Sequence, residues 1–225
     1  MNLATVKSNV RYFGVLRTFA DVGLRAANRA MLLKVLKGIV IEQVDHSFLE
    51  PDPKYAGSFL SEARLREFAR EPGTQLSDAF LDEALAKGDG CYGFLAGNVL
   101  AAYGWYSNKP TALDFDGLRL QFDDRYIYMY KGFTAPEHRG QRLHAIGMTR
   151  ALQSYLERGY RGIVSYVEWN NFASLKSCYR MGYRDVGNIL IAGARGRYVL
   201  RHDAACNEYS FRIVRSGNGN GRPRT

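Results

Sequence analysis

The stretch FTAPEHRGQRLHA, residues 133–145, decides the fold because it joins a strand pattern to a helix pattern through one short turn. The strand pattern over 126–134 ends before Pro136, whose ring removes the backbone N–H that sheet pairing needs. A strand–turn–helix connection leaves the first backbone N–H groups of the helix unpaired at the positive end of its dipole. Arg139 and Arg142 add positive charge there. The segment therefore predicts a site for an anionic group such as a pyrophosphate.

The segments on either side of this turn alternate between strand and helix patterns. Ser77 is a candidate helix N-cap, and Gly97-Asn98 separates two apolar runs. This order predicts an α/β (α+β) fold in which helices cover both faces of a mixed sheet. The predicted strands lie at 38–44, 90–97, 98–106, 126–134, 162–167, 183–192 and 196–202, the predicted helices at 58–71, 76–87, 140–159 and 171–181, and 107–124 is predicted as a loop or an irregular hairpin.

A second segment, VEWNNFASLKSCYRMGY at 167–183, places Asn171 before a helix pattern and Gly182 at its end. The two segments together resemble the GNAT acyltransferase superfamily. Its second signature is Asn-x-x-[Ala/Ser]-x-x-x-Tyr-x-x-x-Gly-Phe. Asn171, Ser174 and Gly182 match it, and Tyr183 stands for the final aromatic residue.

The first segment resembles the coenzyme A loop of the same superfamily, which typically reads Pro-Glu-Tyr-Arg-Gly-x-Gly-x-Gly. Arg139 and Gly140 match this loop. Arg142 and His144 stand where the superfamily has its two later glycines, so side-chain cations replace close backbone approach there. The resemblance covers roughly residues 38–202.

The resemblance implies a centrally splayed sheet, with acyl-coenzyme A lying between the strands at 126–134 and 162–167. It also implies direct attack of a neutral amine on the thioester, with a backbone N–H near residues 132–134 stabilising the oxyanion. The expected donor is acetyl-CoA or another acyl-CoA, and no metal is expected. The residues expected to bind the donor are Phe133, Thr134, Arg139, Gly140, Gln141, Arg142, Leu143, His144, Ala145, Asn171 and Ser174.

The identity of the base stays open. Glu168, just past the second of these strands, is one candidate, and Tyr128 or Tyr130 on the first strand is another. Strand alternation places Tyr128 and Tyr130 on one face and directs Lys131 to the opposite face, at the surface.

The identity of the acid that protonates the leaving thiolate is also open. Cys178 occupies the position at which many superfamily members have a tyrosine, and Tyr179 follows it. Either side chain is a candidate proton donor, and a buried structural thiol is the other interpretation of Cys178. His144 is a candidate for phosphate contact, for shaping the acyl pocket and for proton transfer.

The net charge of +9 belongs to the two ends of the chain, because residues 1–40 and 206–225 carry the excess of lysine and arginine. A uniformly basic nucleic-acid-binding domain is therefore disfavoured. The helix pattern over 8–36 is basic and amphipathic, which suits docking on the domain, an acidic acyl carrier protein or an anionic membrane surface. No signal peptide or long apolar segment is evident, so we expect a cytoplasmic protein, with membrane-peripheral association as the alternative.

The expected organisation is a basic helical extension at 1–37, the acyltransferase domain at 38–204, and a C-terminal strand or tail at 205–225, disordered from about 216. The loop at 107–124 and the two early helices are predicted to form the acceptor side. Its carboxylates would attract a small-molecule amine, and the tyrosine-rich composition favours an amino-sugar or amino-acid derivative. A non-catalytic acyl-CoA-binding module and a homodimer remain alternatives. The carboxylates of this loop are Asp114, Asp116, Asp123 and Asp124.

Overall fold

The computed structural model describes Val15, Ala20, Gly23, Leu24 and residues 32–115, 117–194 and 197–216. The first strand begins at Leu32, earlier than predicted, because it pairs with a neighbour on each side. The helix predicted over 8–36 is therefore wrong at its C-terminal end, because residues 32–36 belong to this strand. Most of that helix lies outside the described residues, and so do residues 217–225 of the tail predicted to be disordered from about 216.

The secondary structure follows the predicted order with one additional strand. The strands are β1 (Leu32–Ile41), β2 (Tyr55–Phe59), β3 (Gly90–Ala96), β4 (Val99–Ser107), β5 (Thr111–Ala112), β6 (Leu118–Gln121), β7 (Tyr126–Thr134), β8 (Gly162–Glu168), β9 (Arg184–Ala194), β10 (Arg197–His202) and β11 (Arg212–Arg215). The α-helices are α1 (Glu62–Ala69), α2 (Asp78–Lys87), α3 (Leu143–Glu157) and α4 (Phe172–Arg180), and short 3-10 turns occupy His46–Phe48, Pro136–His138 and Ala204–Tyr209.

The additional strand is β2, and the irregular hairpin that was one of the two alternatives for 107–124 is confirmed. The segment 55–59 pairs with β3, so the helix predicted from 58 begins only at Glu62, after the N-cap Ser61. The segment 107–124 contains the hairpin of β5 and β6. The predicted N-cap Ser77 is confirmed, because its side chain accepts a hydrogen bond from the N–H of Phe80.

The main sheet has eight strands in the order β10-β9-β1-β8-β7-β4-β3-β2. Every neighbouring pair is antiparallel except β7 and β8, which are parallel. These two strands are paired only from Tyr126 and Gly162 to Tyr128 and Val164, after which they separate. The predicted mixed, centrally splayed sheet is confirmed.

Three cores stabilise this sheet. On one face, α3 and α4 pack on β7 and its neighbours through residues such as Met129, Leu152 and Cys178. On the other face, α1 and α2 cover β3 and β4, whereas a small sheet of β11, β6 and β5 covers the half that contains β1, β8 and β9. The predicted helices on both faces are therefore confirmed. No helix among the described residues is long and apolar enough to cross a bilayer.

Candidate active site

The separation of β7 from β8 opens a cleft in the middle of the sheet. At its vertex, the buried Ser165 hydroxyl donates a hydrogen bond to the Met129 carbonyl at 2.8 Å. Beyond Tyr128 and Val164 the two strands no longer pair with each other. The backbone N–H and C=O groups on their facing edges are therefore not used across the gap. An extended ligand can form hydrogen bonds with such an edge in the way that an added β-strand does.

A β-bulge at Tyr130 changes which side chains of β7 face the same way. Trp105 of β4 is opposite Lys131, and Tyr106 is opposite Met129, so Tyr130 is an extra residue without a partner on β4. The prediction that Lys131 points to the surface on the face opposite Tyr130 is therefore wrong. Lys131 is half-buried and borders the same cavity as Tyr128 and Tyr130.

The start of α3 lies beside the cleft and has no side-chain cap. Its first helical hydrogen bond runs from the Ile146 N–H to the Arg142 carbonyl at 3.0 Å, so the N–H groups of residues 143–145 have no intrahelical acceptor. Gly140 and Arg142 both have left-handed backbone conformations, with φ of 80° and 60°. The helix consequently begins at residue 143 and not at 140 as predicted. This end of α3 can bind an anion.

The two arginines of the loop differ in what they contact. Arg142 donates a hydrogen bond to the Ser47 carbonyl at 3.2 Å, and its guanidinium lies 4.5 Å from the centre of the Phe48 ring. Arg139 is exposed, and its side chain makes a long hydrogen bond of 3.5 Å from Nε to the Thr134 carbonyl. Arg139 is therefore the better placed cation for a phosphate, and the side chain of Arg142 is directed toward the 46–48 turn.

Three of the other residues predicted to bind the donor have side chains that pack in the hydrophobic cores. Leu143 and Ala145 are buried in the core on the α3 face. The ring of Phe133 stacks on Tyr103 at 5.3 Å and packs with the α1–α2 core. Thr134 is half-buried, and Gln141 is exposed.

His144 joins the start of α3 to the separated part of β7. A Cβ added at Gly132 would lie 2.5 Å from His144 Cε1, so only glycine leaves room for the ring. His144 is exposed at the surface, yet the protein atoms around the imidazole lower its pKa by desolvation. The neutral form is therefore favoured.

The start of α4, the second predicted contact with the donor, is capped by its own residue. The side-chain oxygen of Asn171 accepts a hydrogen bond from the Ser174 N–H at 3.2 Å. The predicted helix start at Asn171 is confirmed as an N-cap. The carbonyl oxygen of this side chain is thus already in use, although both residues keep part of their surface exposed.

The structure separates the two candidate acids, Cys178 and Tyr179. Cys178 is buried in the core between the sheet and α3, and desolvation raises the pKa of its thiol to about 11. Tyr179 lies on the outer side of α4, where its hydroxyl donates a hydrogen bond to Asp185 at 2.7 Å. The interpretation of Tyr179 as an acid at the cleft does not fit this position, because its hydroxyl is engaged on β9.

Glu168, the candidate base, ends β8 and forms an ion pair of 2.7 Å with Lys34 of β1. Opposite Glu168 in the sheet register stands Leu36. One carboxylate oxygen of Glu168 is therefore already in contact with an ammonium group.

A cavity of about 350 Å³ lies on the other face of the same strands, at the seam between the α1–α2 core and the small sheet. That volume is within the range of small-molecule sites. The predicted loop at 107–124 and the second early helix do border one space. Asp123, by contrast, pairs with Arg125 and does not line it. The cavity is lined by Tyr128, Tyr130, Lys131 and Tyr166 of the splayed strands, Phe80, Glu83, Ala84 and Lys87 of α2, and Thr111, Ala112, Leu113 and Asp114 of the hairpin.

Asp89 is the one buried carboxylate next to this cavity that sequence reasoning missed. It follows α2 in a Gly-Asp-Gly turn, where an aspartate is an ordinary turn residue. Its side chain is fully buried, accepts a hydrogen bond from the Tyr130 hydroxyl at 2.8 Å and pairs with Lys87 at 3.0 Å. Only its burial marks it as unusual, and no local pattern carries that signal.

These features fit an acyl-CoA thioester in a testable way. The uncapped end of α3 and the exposed Arg139 suit a pyrophosphate, and the unpaired strand edges suit the amide groups of a pantetheine arm. The cavity beyond suits a second, smaller substrate. The arrangement can therefore hold a thioester between two strands and a nucleophile behind them.

Comparison with known proteins agrees with this geometry. Residues 58–183 match the sequence model of a family described as the acetyltransferase (GNAT) family. No curated protein matches the chain.

Solved structures resemble the chain in fold at low sequence identity. A GCN5-related N-acetyltransferase-like protein from Streptococcus suis is 10% identical, with a TM-score of 0.51 over 79% of this chain and 68% of that chain. A Drosophila protein is 13% identical, with a TM-score of 0.50 over 78% of this chain and 57% of that one. A GNAT-family structure from Novosphingobium aromaticivorans is 14% identical, with a TM-score of 0.49. The match covers 77% of this chain and 66% of that chain. The chain thus matches only part of each neighbour.

Proposed function

The chain belongs to the acetyltransferase (GNAT) family and is an acyltransferase, and we propose that it moves an acyl group, in the first place acetyl, from acyl-CoA to the amine of a small molecule. One observation carries this proposal. The strands β7 and β8 border both an opening beside the uncapped start of α3 and a 350 Å³ cavity on the opposite face. A donor and an acceptor held in these two spaces would meet at the gap between the strands.

The donor is proposed to bind with its pyrophosphate at the N–H groups of residues 143–145 and at Arg139. The unpaired edges of β7 and β8 would hold the pantetheine arm, and a backbone N–H near residues 132–134 would stabilise the oxyanion. His144, at the junction of α3 and β7, would shape the acyl end of this site.

The acceptor is proposed to occupy the cavity. Asp114 and Glu83 supply negative charge for an arriving ammonium group, and the tyrosine rings offer flat faces to a sugar or an aliphatic body. Lys87 and Lys131 in the same wall disfavour a polycation. A small amine with a polar body, such as an amino-sugar or amino-acid derivative, fits this mixture of charges.

The reaction would proceed by direct attack. The amine nitrogen forms a bond to the thioester carbonyl carbon, the carbon–sulfur bond breaks, and coenzyme A leaves as a thiolate. The nitrogen loses one proton and the thiolate gains one, with water as the carrier in each case. No side-chain acid is required in this scheme, which agrees with the burial of Cys178 and the engagement of Tyr179 by Asp185.

The test incubates the full chain with acetyl-CoA and a panel of primary amines that includes glucosamine and free amino acids, and measures the release of free thiol. We expect amine-dependent release with at least one class. A parallel reaction with an acetylated acyl carrier protein tests the alternative donor, because the basic segment on which that alternative rests lies mostly outside the described residues. Stabilisation by coenzyme A in a thermal unfolding assay without any thiol release would instead support a non-catalytic binding module.

A further inference from the structure

The carboxylate of Asp89 is buried at a cost that the fold does not explain. Its side chain is 0% exposed. Oδ2 accepts the hydrogen bond from Tyr130 and lies 3.0 Å from Lys87 Nζ, whereas Oδ1 has no hydrogen-bond partner among the residues that the structure describes. Removing a carboxylate from water costs several kcal/mol, and a half-bonded one recovers only part of that. The contacts of Oδ2 with Tyr130 and Lys87 offset part of this cost, and Oδ1 is left without such compensation in the part of the chain that the structure describes.

Tyr130 connects this carboxylate to the cavity. It is the bulged residue of the splayed strand β7, and it lines the cavity wall. Its hydroxyl has one proton, and that proton is committed to Asp89, so the lone pairs of the phenolic oxygen remain as acceptors. Desolvation and the charge of Asp89 raise the pKa of Tyr130, so the hydroxyl stays protonated and is not a base.

Lys87 holds the carboxylate in this arrangement. Its ammonium lies 3.0 Å from Asp89 Oδ2, donates to Thr111 Oγ1 at 3.0 Å and sits 5.0 Å from the centre of the Tyr130 ring. The ammonium and the Tyr130 hydroxyl thus both approach the same carboxylate oxygen, Oδ2 of Asp89. The hydroxyl proton of Tyr130 points at this oxygen.

We propose that Asp89 is a positioning residue for acyl transfer, which holds the Tyr130 hydroxyl so that its oxygen accepts an N–H of the amine in the cavity. Tyr130 contacts the acceptor, and Asp89 acts through Tyr130. An amine bound in this way has its N–H directed at Tyr130 and its lone pair available toward the gap between β7 and β8. This inference rests on the proposed acceptor role of the cavity.

The first experiment compares two double variants that have the same charge and similar side-chain shapes. In Lys87→Met with Asp89→Asn, the amide oxygen can still accept the Tyr130 proton. In Lys87→Met with Asp89→Leu, no acceptor remains and the hydroxyl is released. With acetyl-CoA as donor and hydroxylamine as the amine probe, and with the enzyme-free thiol release subtracted, we expect kcat of the asparagine variant to exceed that of the leucine variant about fivefold, the value of one neutral hydrogen bond. Adding Tyr130→Phe should abolish this difference.

The second experiment needs no turnover. The hydroxyl proton of Tyr130 should exchange slowly with water because it is bonded to a buried carboxylate, so proton NMR should show a downfield resonance that Tyr130→Phe removes. We expect the resonance in the wild-type chain and in the asparagine variant, and its loss in the leucine variant. Thermal unfolding checks that all variants fold.

The outcomes separate this inference from the proposed function. If the resonance is present but no variant, nor the wild type, releases thiol with hydroxylamine or with the amine panel, acyl transfer itself is refuted and Asp89 has no acceptor to position. If the wild type turns over but the two double variants have equal kcat, Asp89 is a structural residue. Absence of the resonance in the wild type also overturns the inference.

Discussion

The two helices beside the cleft, α3 and α4, begin in different ways. At α3, the N-cap residue Arg142 has a left-handed backbone and no capping side chain. At α4, the side chain of Asn171 accepts the Ser174 N–H, which uses one of the donors that a helix start leaves unpaired. Both helix starts were predicted to contact the donor. Only α3 keeps its donors for a ligand, so its start is where we expect the phosphates to bind.

The left-handed backbone of Gly140 and Arg142 explains how α3 can begin without a capping side chain. A non-glycine residue in this conformation costs about 1–2 kcal/mol, and Arg142 adopts it at φ 60°. Its contacts with Ser47 and Phe48 offset part of that cost. The loop therefore turns sharply into α3 without a capping side chain, which leaves the helix end accessible.

The largest effect is expected from filling the space between β7 and the start of α3. In Gly132→Val the new side chain would collide with His144, whose Cε1 is already 2.5 Å from an added Cβ. We expect the dissociation constant of acetyl-CoA to rise about 50-fold, within the usual cost of overpacking. Isothermal titration calorimetry measures the constant. Adding His144→Gly to this variant should restore most of the affinity, and failure to do so would show that the collision is not the cause.

The next effect separates the two arginines of the α3 loop. Arg139→Gln should raise the dissociation constant for acetyl-CoA about tenfold, because it removes one charge-assisted hydrogen bond to phosphate. Arg142→Gln is the matched variant and should change it by less than about threefold, since that guanidinium contacts Ser47 and Phe48. Measuring both at two salt concentrations sharpens the test, because only the Arg139 effect should weaken as salt rises. The reverse ranking would mean that Arg142 turns toward the ligand.

A smaller effect is expected from the start of α4. Asn171→Ala removes the cap and should lower the free energy of unfolding by about 1 kcal/mol, which lowers Tm by about 3 °C. Asn171→Ser keeps a capping oxygen and should keep Tm. Neither variant should alter donor affinity by more than about twofold. If Asn171→Ser weakened donor binding with Tm unchanged, the Asn171 amide would contact the donor and the contrast between α3 and α4 would be lost.

The smallest effect concerns pH. The pKa of His144 is lower in the folded chain than its ordinary value because desolvation disfavours the imidazolium. Between those two values the unfolded chain binds more protons, so stability falls as pH decreases through the ordinary pKa of about 6.5. His144→Gln removes this contribution and should lose about 1 °C less of Tm between pH 7 and pH 5 than the wild type. An equal loss in both proteins would show that His144 titrates normally.

Several features of this protein were predictable from local sequence. The bounds of β7 at Tyr126–Thr134 match the prediction, the cap Ser77 was located correctly, and the helix predicted from about 171 begins after Asn171. A Pro-containing turn, a run of β-branched and aromatic residues and a capping side chain act over a few residues, so they can be read without knowing the fold. The two GNAT-like segments located the splayed strands for the same reason.

Side-chain direction was harder to predict. Strand alternation placed Lys131 on the wrong face because the bulge at Tyr130 shifts the register by one residue. Tyr179 was a candidate acid because it follows Cys178, which occupies the tyrosine position of the signature. Its hydroxyl instead donates a hydrogen bond to Asp185 on β9. Each error arose where an irregularity or a contact across the sheet overrode a local pattern.

Periodicity, capping and charge at a turn are properties of neighbouring residues, so the sequence was enough to predict the order of most strands and helices and the family resemblance, and to suggest an anion site at the start of α3. Only the tertiary structure decided which side chains meet at the cavity. Tyr130 lies on β7 and Asp89 in the turn between α2 and β3, so the local sequence pattern around either residue does not contain the other. Their contact depends on sheet register, on one bulge and on burial, and these follow from the packing of the whole domain.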